Sequence, residues 1–254
     1  MAISYGASAD YYDGSSSAKA APSAIAIKKA YPNSGDGVYW INLPTVGPTQ
    51  TYCLMDDRYD GGGWMMMLKA TTGTTFNYDS SYWTTANTLN PTDLTRSNAD
   101  AKFHTMNYFP GRDLMAIWPD ITTAPGGSIP GTGNWTWLQK GFNGGERIAP
   151  TTFFSTVNRR FFKDAKTYDG WASGVFSSQV DIRFYGFNWT DNLKVRWGFG
   201  WNENGGGLYP NGVEGSDDVV GGIGNTYDSA GDRINCCQDT TGINRQARVE
   251  VYVR

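Results

Sequence analysis

Histidine is almost missing from this chain. His104 is the single one in 254 residues, and cysteine occurs three times. A lone imidazole with scattered thiols cannot assemble a structural or catalytic zinc site, which draws on a set of such ligands. His104 lies in the run KFHTMNY, and no G-x-S-x-G element supplies a nucleophile for it to activate. The phosphate-cradling G-x-x-x-x-G-K-[ST] pattern is missing as well. The residues therefore point away from an enzyme, and no catalytic residue is assigned. Charge is sparse too. Asp, Glu, Lys and Arg make up 18% of the chain, the formal net charge is −3 and the pI is near 5.2. A protein that grips phosphates presents a basic face, so nucleic acid is excluded as the expected partner. No apolar run approaches the ~20 residues of a membrane-spanning helix, so no membrane insertion is expected. Met1 to Lys19 has neither a basic start nor an apolar middle, so it does not read as a secretory signal. The expectation is a protein made and folded in a reducing cytoplasm. There the three cysteines, with Cys236 and Cys237 adjacent, stay as thiols.

What is abundant is glycine, at 32 residues, and aromatic side chains, at 15%. That combination suits many short strands joined by many turns. The length allows one large domain or two small ones. No internal repeat at solenoid spacing and no linker divides it.

The stretch with the most information is Asp36 to Trp64. Asp36–Trp40 (DGVYW) opens a strand with Val38, Trp40 and Leu43 as its apolar positions, and Gln50–Met55 resumes with β-formers. Gly61, Gly62 and Gly63 then precede Trp64 and the apolar run Met65–Leu68. Consecutive glycines mark a bend with backbone angles that other residues resist, so a hairpin followed by a third strand is expected. Upstream, Ser23 is placed to cap a short helix over Ala24–Ala30. Downstream, Thr71–Asn98 reads as a polar loop containing Tyr82–Trp83 and Asn87. Leu114, Ile117 and Trp118 read as core, and Trp135, Trp137 and Leu138 are spaced for burial on one side. Phe153, Val157 and Phe161 recur every four residues, which suggests a helix over Phe153–Phe162. Val180, Ile182 and Phe184 alternate. With Val195, Trp197 and Phe199 on the return they predict a hairpin, and Ala247, Val249, Val251 and Val253 share one face of a closing strand.

Three of these pieces occur in a particular order: D-G-V-Y-W, then Y-C-L-M-D at Tyr52–Asp56, then D-G-G-G-W at Asp60–Trp64. The order and separation resemble the opening of the fibrinogen-related domain, where G-x-Y-x-I, Y-C-D-M and D-G-G-G-W-T follow one another. Met65 stands where that family has threonine. Secreted members join the Y-C-x-M cysteine to one upstream. Ser23–Tyr31 holds no cysteine, so Cys53 is expected as a small buried apolar side chain. The run FPGRDLMAIWPD (Phe109–Asp120) and the glycine-rich region before the last strand are similar to the intelectins, the calcium-dependent glycan-binding branch. The resemblance implies an α+β fold, mainly antiparallel β with short helices and long ordered loops, fibrinogen C-terminal-like.

It also implies a site. In intelectins a loop of similar order holds Ca²⁺, and the ion chelates a vicinal diol of a terminal sugar. The matching stretch here is NENGGGLYPN, Asn202–Asn211, followed by Asp217 and Asp218. Calcium takes six to eight oxygens in flexible geometry, so the metal candidates are Asn202, Glu203, Asn204, Asn211, Asp217 and Asp218. Asn204 replaces a histidine ligand and Asn211 a glutamate, which weakens the set. Exposed aromatic faces stack on the C–H side of a pyranose. Trp201, Tyr209 and Tyr227 are the glycan-binding candidates, read as flanking the glycine loop. Residues 1–22, small and polar, read as an arm, and residues 23–254 as the globular domain. An intelectin-like domain without export signal or disulfides suits a bacteriophage virion, released by lysis. The expectation is a tail or fibre protein that binds host cell-surface glycan. Its arm would contact other virion proteins or a neighbouring subunit in an oligomer. A capsid decoration protein with little sugar contact is the alternative.

Overall fold

A computed structural model describes residues 12–121, 129, 131–157, 160–161, 184–190, 193–201, 219–234 and 245–254. Its described strands are β1 (Gly37–Leu43), β2 (Gly47–Leu54), β3 (Trp64–Ala70), β4 (Ala101–Lys102), β5 (Leu114–Trp118), β6 (Trp135–Gln139), β7 (Arg160–Phe161), β8 (Phe184–Thr190), β9 (Lys194–Trp201), β10 (Val219–Asn225), β11 (Ala230–Ile234), β12 (Arg245–Gln246) and β13 (Val249–Val253). Three short helices accompany them, α1 (Ala24–Ala30), α2 (His104–Tyr108) and α3 (Pro150–Thr156). The strands form two antiparallel sheets. The first runs β1-β2-β3-β13-β5-β6, with β4 also on β3, and the second runs β12-β11-β10-β9-β8-β7. The protein is thus α+β and mainly antiparallel.

The first hairpin forms as expected, in register from Gly37↔Cys53 to Leu43↔Gly47. Of the positions read as apolar, Leu43 is buried, together with Ile41, whereas Val38 is exposed and Trp40 only half-buried. The period-2 alternation of a strand puts positions 39, 41 and 43 on the core side, and Val38 falls on the other. Helix α1 starts at its predicted place, with the Ser23 hydroxyl accepting from the Ala26 N–H at 3.2 Å. Part of the N-terminal segment packs beside it. Trp40 N–H donates to the Gly14 carbonyl, and Ala21 exchanges main-chain bonds with Trp40 and Asn42. Residues 14–21 so cover part of the β1 edge, while residues 1–11 lie outside the described residues.

Strand β13, near the end of the chain, inserts between β3 and β5. Its pairing with β3 slips at Val251/Tyr252: Val251 faces Leu68 and Tyr252 faces Met66, so Met67 is an added residue. A bulge of this kind puts two neighbours on the same face. Met65, Met67, Leu68 and Ala70 accordingly join the large core with Val249, Val251 and Val253. Trp64 and Met66 pack on the opposite side with Tyr252, Met115 and Ile117. All of β3 is buried, because loops cover the outer face as the second sheet covers the inner.

Between the sheets the core is aromatic. Trp137 meets Trp197 at 5.9 Å and Phe199 at 6.4 Å, and Phe187 meets Phe153 at 5.1 Å. Such edge-on contacts contribute about 0.5–1.5 kcal/mol each beyond area burial. Trp135 and Trp137 are buried in this core, but Leu138 packs in the outer cluster, since adjacent strand residues point to opposite faces. Pro150, at the first helical turn, starts α3 earlier than the phenylalanine spacing suggests. The helix ends at Thr156, and Phe161 belongs to β7. In β8 the buried aromatic residues are Tyr185, Phe187 and Trp189. Val180 and Ile182 lie outside the described residues, and of Phe184 only the backbone is described. On β9, Val195, Trp197 and Phe199 are buried as read from the sequence.

The polar loop 71–100 is a fixed strap across both sheets. Asp100 accepts from Thr71 N–H (2.8 Å) and from the Thr75 hydroxyl (2.6 Å). Tyr78 N–H reaches the Asn225 carbonyl at 2.8 Å. Trp83 is buried beneath the strap, its indole N–H shared between the carbonyls of Phe76 and Asn77. From β9, Arg196 donates to the Tyr78 carbonyl (2.9 Å) and to Asn188 (3.0 Å), with its guanidinium 4.1 Å from the Tyr78 ring centre.

Candidate functional site

The three linked motifs meet in space, and the chain terminus joins them. The Asp36 carboxylate accepts from the main-chain N–H groups of Met55 (2.6 Å) and Asp56 (3.0 Å), tying the first motif to the second. Beyond them Gly62 and Gly63 have φ of +69° and +77°. A Cβ at Gly62 would stand 2.3 Å from the Met55 carbonyl oxygen, and one at Gly63 would stand 2.7 Å from Ile25 Cα in α1. Both positions need glycine for backbone angle and for space. The bend delivers Trp64 fully buried, its indole N–H donating to the Tyr59 carbonyl at 2.7 Å. Arg254 lies over that ring at 4.1 Å. It also donates to the carbonyls of Asp60 and Gly62 and to the Asp60 carboxylate at 2.7 Å. Lys140 pairs with the other Asp60 oxygen at 2.9 Å. Burial opposes ionisation of Asp60, yet Lys140 and Arg254 hold its carboxyl below the usual range. Asp56 caps the Arg58 N–H at 2.9 Å. These carboxylates thus serve the turn.

Cys53 is fully buried within the core, where burial pushes its thiol well up. Cys236 and Cys237 lie outside the described residues.

The predicted metal residues, Asn202, Glu203, Asn204, Asn211, Asp217 and Asp218, also lie outside the described residues, as does Tyr209. The strands that carry this loop are described. Trp201 ends β9, Val219 begins β10, and the two are paired, so the loop closes a hairpin at one end of the second sheet. Only the backbone of Trp201 is described.

Tyr227 is at the other end of β10. The strand runs from Val219 to Asn225 before the turn that carries it, and at ~3.3 Å per residue the separation is on the order of 20 Å. The fold therefore sets Tyr227 about one strand length from Trp201. The Tyr227 turn is rigid. Buried Asn225 accepts from the N–H groups of Tyr227 (2.8 Å) and Asp228 (2.7 Å) through its side-chain oxygen. Buried Asp228 accepts from Arg233 (2.6 Å and 3.1 Å) and from Gln246 (2.6 Å). The Thr226 hydroxyl accepts from Lys194 N–H at 2.7 Å. The Tyr227 ring itself is 43% exposed, with the Arg233 guanidinium 5.4 Å away. An aromatic face held on a fixed turn beside donors has the chemistry to stack on a sugar.

Two buried lysines, one in β3 and one in β4, are accommodated in opposite ways. Lys69 is 1% exposed and satisfied by Asp93 (2.8 Å), the Thr95 carbonyl (2.9 Å) and the Ser97 hydroxyl (2.8 Å). Hydrogen bonds from Lys69 and Thr95 draw the Asp93 carboxyl down to about 2. Lys102 is 0% exposed and donates to the Thr85 carbonyl at 2.5 Å. No carboxylate pairs with it among the described residues, and burial pushes its ammonium down to about 7. The sequence reading passed over both. A lysine inside an apolar strand run, as in WMMMLKA or AKF, was the available signal. Among the described residues no helix is long and apolar enough to cross a membrane. No protein-family model and no curated protein matches the chain.

Proposed function

We propose that this protein is a non-enzymatic structural component of a bacteriophage virion, at the tail or on fibres. In this reading it displays a fibrinogen-related, intelectin-like domain to host surface glycans. The supporting observation is the convergence of the three motifs on one clasp. Asp36 accepts from Met55 and Asp56 of the second motif, Gly62 packs against Met55, and Arg254, just past the last strand, bonds Asp60 and Gly62 and covers buried Trp64. A chance D-G-G-G-W would carry no such reason to recur beside D-G-V-Y-W and Y-C-L-M-D. Buried, unpaired Cys53 suits assembly in a reducing cytoplasm with release by lysis.

Calcium would be held by oxygens of Asn202, Glu203, Asn204, Asn211, Asp217 and Asp218, with Trp201 and Tyr209 as sugar contacts beside it. Tyr227 would meet a more distant part of a long polysaccharide. Glycan-array binding by the purified protein, with and without chelator, tests the reading. Binding lost on chelation and on Glu203→Ala supports it. Calorimetry showing no Ca²⁺ uptake by the wild type removes the calcium site. Copy number near that of a capsid protein with no sugar signal would favour the decoration role instead. Tyr227→Ala is expected to weaken long polysaccharides several-fold while leaving a calcium-dependent monosaccharide unaffected. Its stability should stay within about 0.5 kcal/mol of wild type, as for other exposed positions. Equal loss for both ligands would show that one surface binds both.

A further inference from the structure

On the first sheet, far in sequence from the glycine loop, an open cleft of about 570 Å³ lies between the N-terminal segment and the turn that follows α1. Its floor is Val38 and Tyr39 of β1. One wall is Asp13, and the other is Tyr31, Asn33 and Ser34. We propose that this cleft binds a neutral saccharide.

Its chemistry favours that class over others. The lining mixes a carboxylate, an amide and a hydroxyl with two tyrosine rings, so it offers directional hydrogen bonds beside apolar faces. A pyranose presents the same alternation, hydroxyls around a C–H face. Val38 is 44% exposed, so apolar contact area is available. Among the described residues, the only ionised side chain in the lining is the Asp13 carboxylate, which repels phosphate, sulfate and acidic sugars and accepts from sugar hydroxyls. The Ser15 hydroxyl and N–H hold that carboxylate in place, at 2.6 Å and 2.9 Å. Lys19 stands 3.8 Å from its second oxygen, at the rim. The walls are set in advance. Ser34 N–H bonds the Tyr31 carbonyl at 3.0 Å, the Tyr39 hydroxyl donates to Gly35 at 2.8 Å, and Lys28 donates to Pro32 at 2.7 Å. A site already in its bound shape loses little affinity to ordering. Nothing in this lining requires calcium, so the cleft goes beyond the calcium-loop reading and does not depend on it.

The test uses the full chain in chelator, titrated calorimetrically with a panel of neutral oligosaccharides, sialylated and uronic-acid sugars, and a lysine-rich peptide. A neutral oligosaccharide should bind. Asn33→Ala and Asp13→Asn should each weaken it about tenfold, the effect of one lost charged or amide hydrogen bond, with unchanged melting. Val38→Lys, which fills the floor, should abolish it. Four results overturn the proposal: no neutral sugar bound in chelator, equal affinity in all variants, preference for the anionic or cationic probes, or displacement of the sugar by a peptide of residues 1–11. The last would assign the cleft to the chain's own first residues. Calcium-dependent binding that fails with Glu203→Ala concerns the glycine loop alone, so the two sites fail separately.

Discussion

Trp64→Ala is expected to destabilise the protein by about 3–5 kcal/mol, the usual cost of deleting a buried tryptophan. The side chain is 0% exposed, and three kinds of contact depend on it. Its ring fills the outer cluster with Leu54, Met66 and Tyr252. Its indole N–H satisfies the Tyr59 carbonyl, and its face carries the Arg254 guanidinium. Truncation leaves a cavity, a Tyr59 carbonyl that keeps only the Gly62 N–H as donor, and a half-buried cation that has lost its aromatic floor. Urea denaturation of the variant should show a lower midpoint with little change in slope. Trp64→Phe keeps most of the volume and should recover a large part of the loss. A Trp64→Ala variant with an unchanged midpoint would remove Trp64 from the centre of the fold.

Lys102→Met is expected to stabilise the protein at pH 6 and to lose that advantage as pH rises. The physical reason is the folded-state proton affinity of the amine, depressed from 10.5 to about 7 by burial. Below pH 7 both folded and unfolded states hold the proton, and the folded state bears the whole cost of a buried ammonium. Between pH 7 and 10.5 the unfolded state binds the proton and the folded state does not, so wild-type stability gains with pH from this group. The depression corresponds to about 5 kcal/mol as an upper figure. The methionine variant forfeits about 1–3 kcal/mol by leaving the Thr85 carbonyl without its donor. The net gain at pH 6 should therefore be a few kcal/mol. The difference between variant and wild type should shrink by about 1.4 kcal/mol per pH unit above pH 7. Denaturation series at pH 6, 8 and 10 measure it, and other titrating groups cancel in the difference. Parallel profiles for the two proteins would mean that Lys102 is charged throughout with a partner beyond Thr85.

The strands and turns that proved legible are those whose signal is local. Ser23 caps α1 because a hydroxyl at that position reaches an N–H three residues on. The bend at Gly62–Gly63 is visible because no other residue tolerates those angles and that crowding. Val249, Val251 and Val253 share the inner face because a strand alternates. The errors come where a longer-range fact intervenes. Phe153, Val157 and Phe161 satisfy a helical period, but Pro150 sets the start of α3 and the chain leaves it to pair Phe161 with Gly186. Met65 to Leu68 read as one apolar run. The added residue that sends Met67 and Leu68 to the same side exists only in the pairing with Val251.

The candidate sites divide in the same way. Trp201, Tyr209 and Tyr227 seem equivalent on a line, within 27 positions of one another. The length of β10 sets Tyr227 at the far end of that strand from Trp201. The cleft beneath Asp13, Tyr31 and Asn33 has no motif, because its Asp13 wall is brought to β1 from a separate part of the chain.

Composition and local pattern alone determined that this is a glycine- and aromatic-rich chain of short strands and many turns. Those properties depend on backbone angles and alternation within a few residues, which a sequence states directly. The tertiary structure decided which strands are neighbours, that β13 enters between β3 and β5, that Arg254 completes the bend begun at Asp60, and that Lys69 finds a carboxylate while Lys102 finds a carbonyl. Each of those contacts joins residues far apart along the chain, and their free energies exist only once the sheets have closed over a shared core.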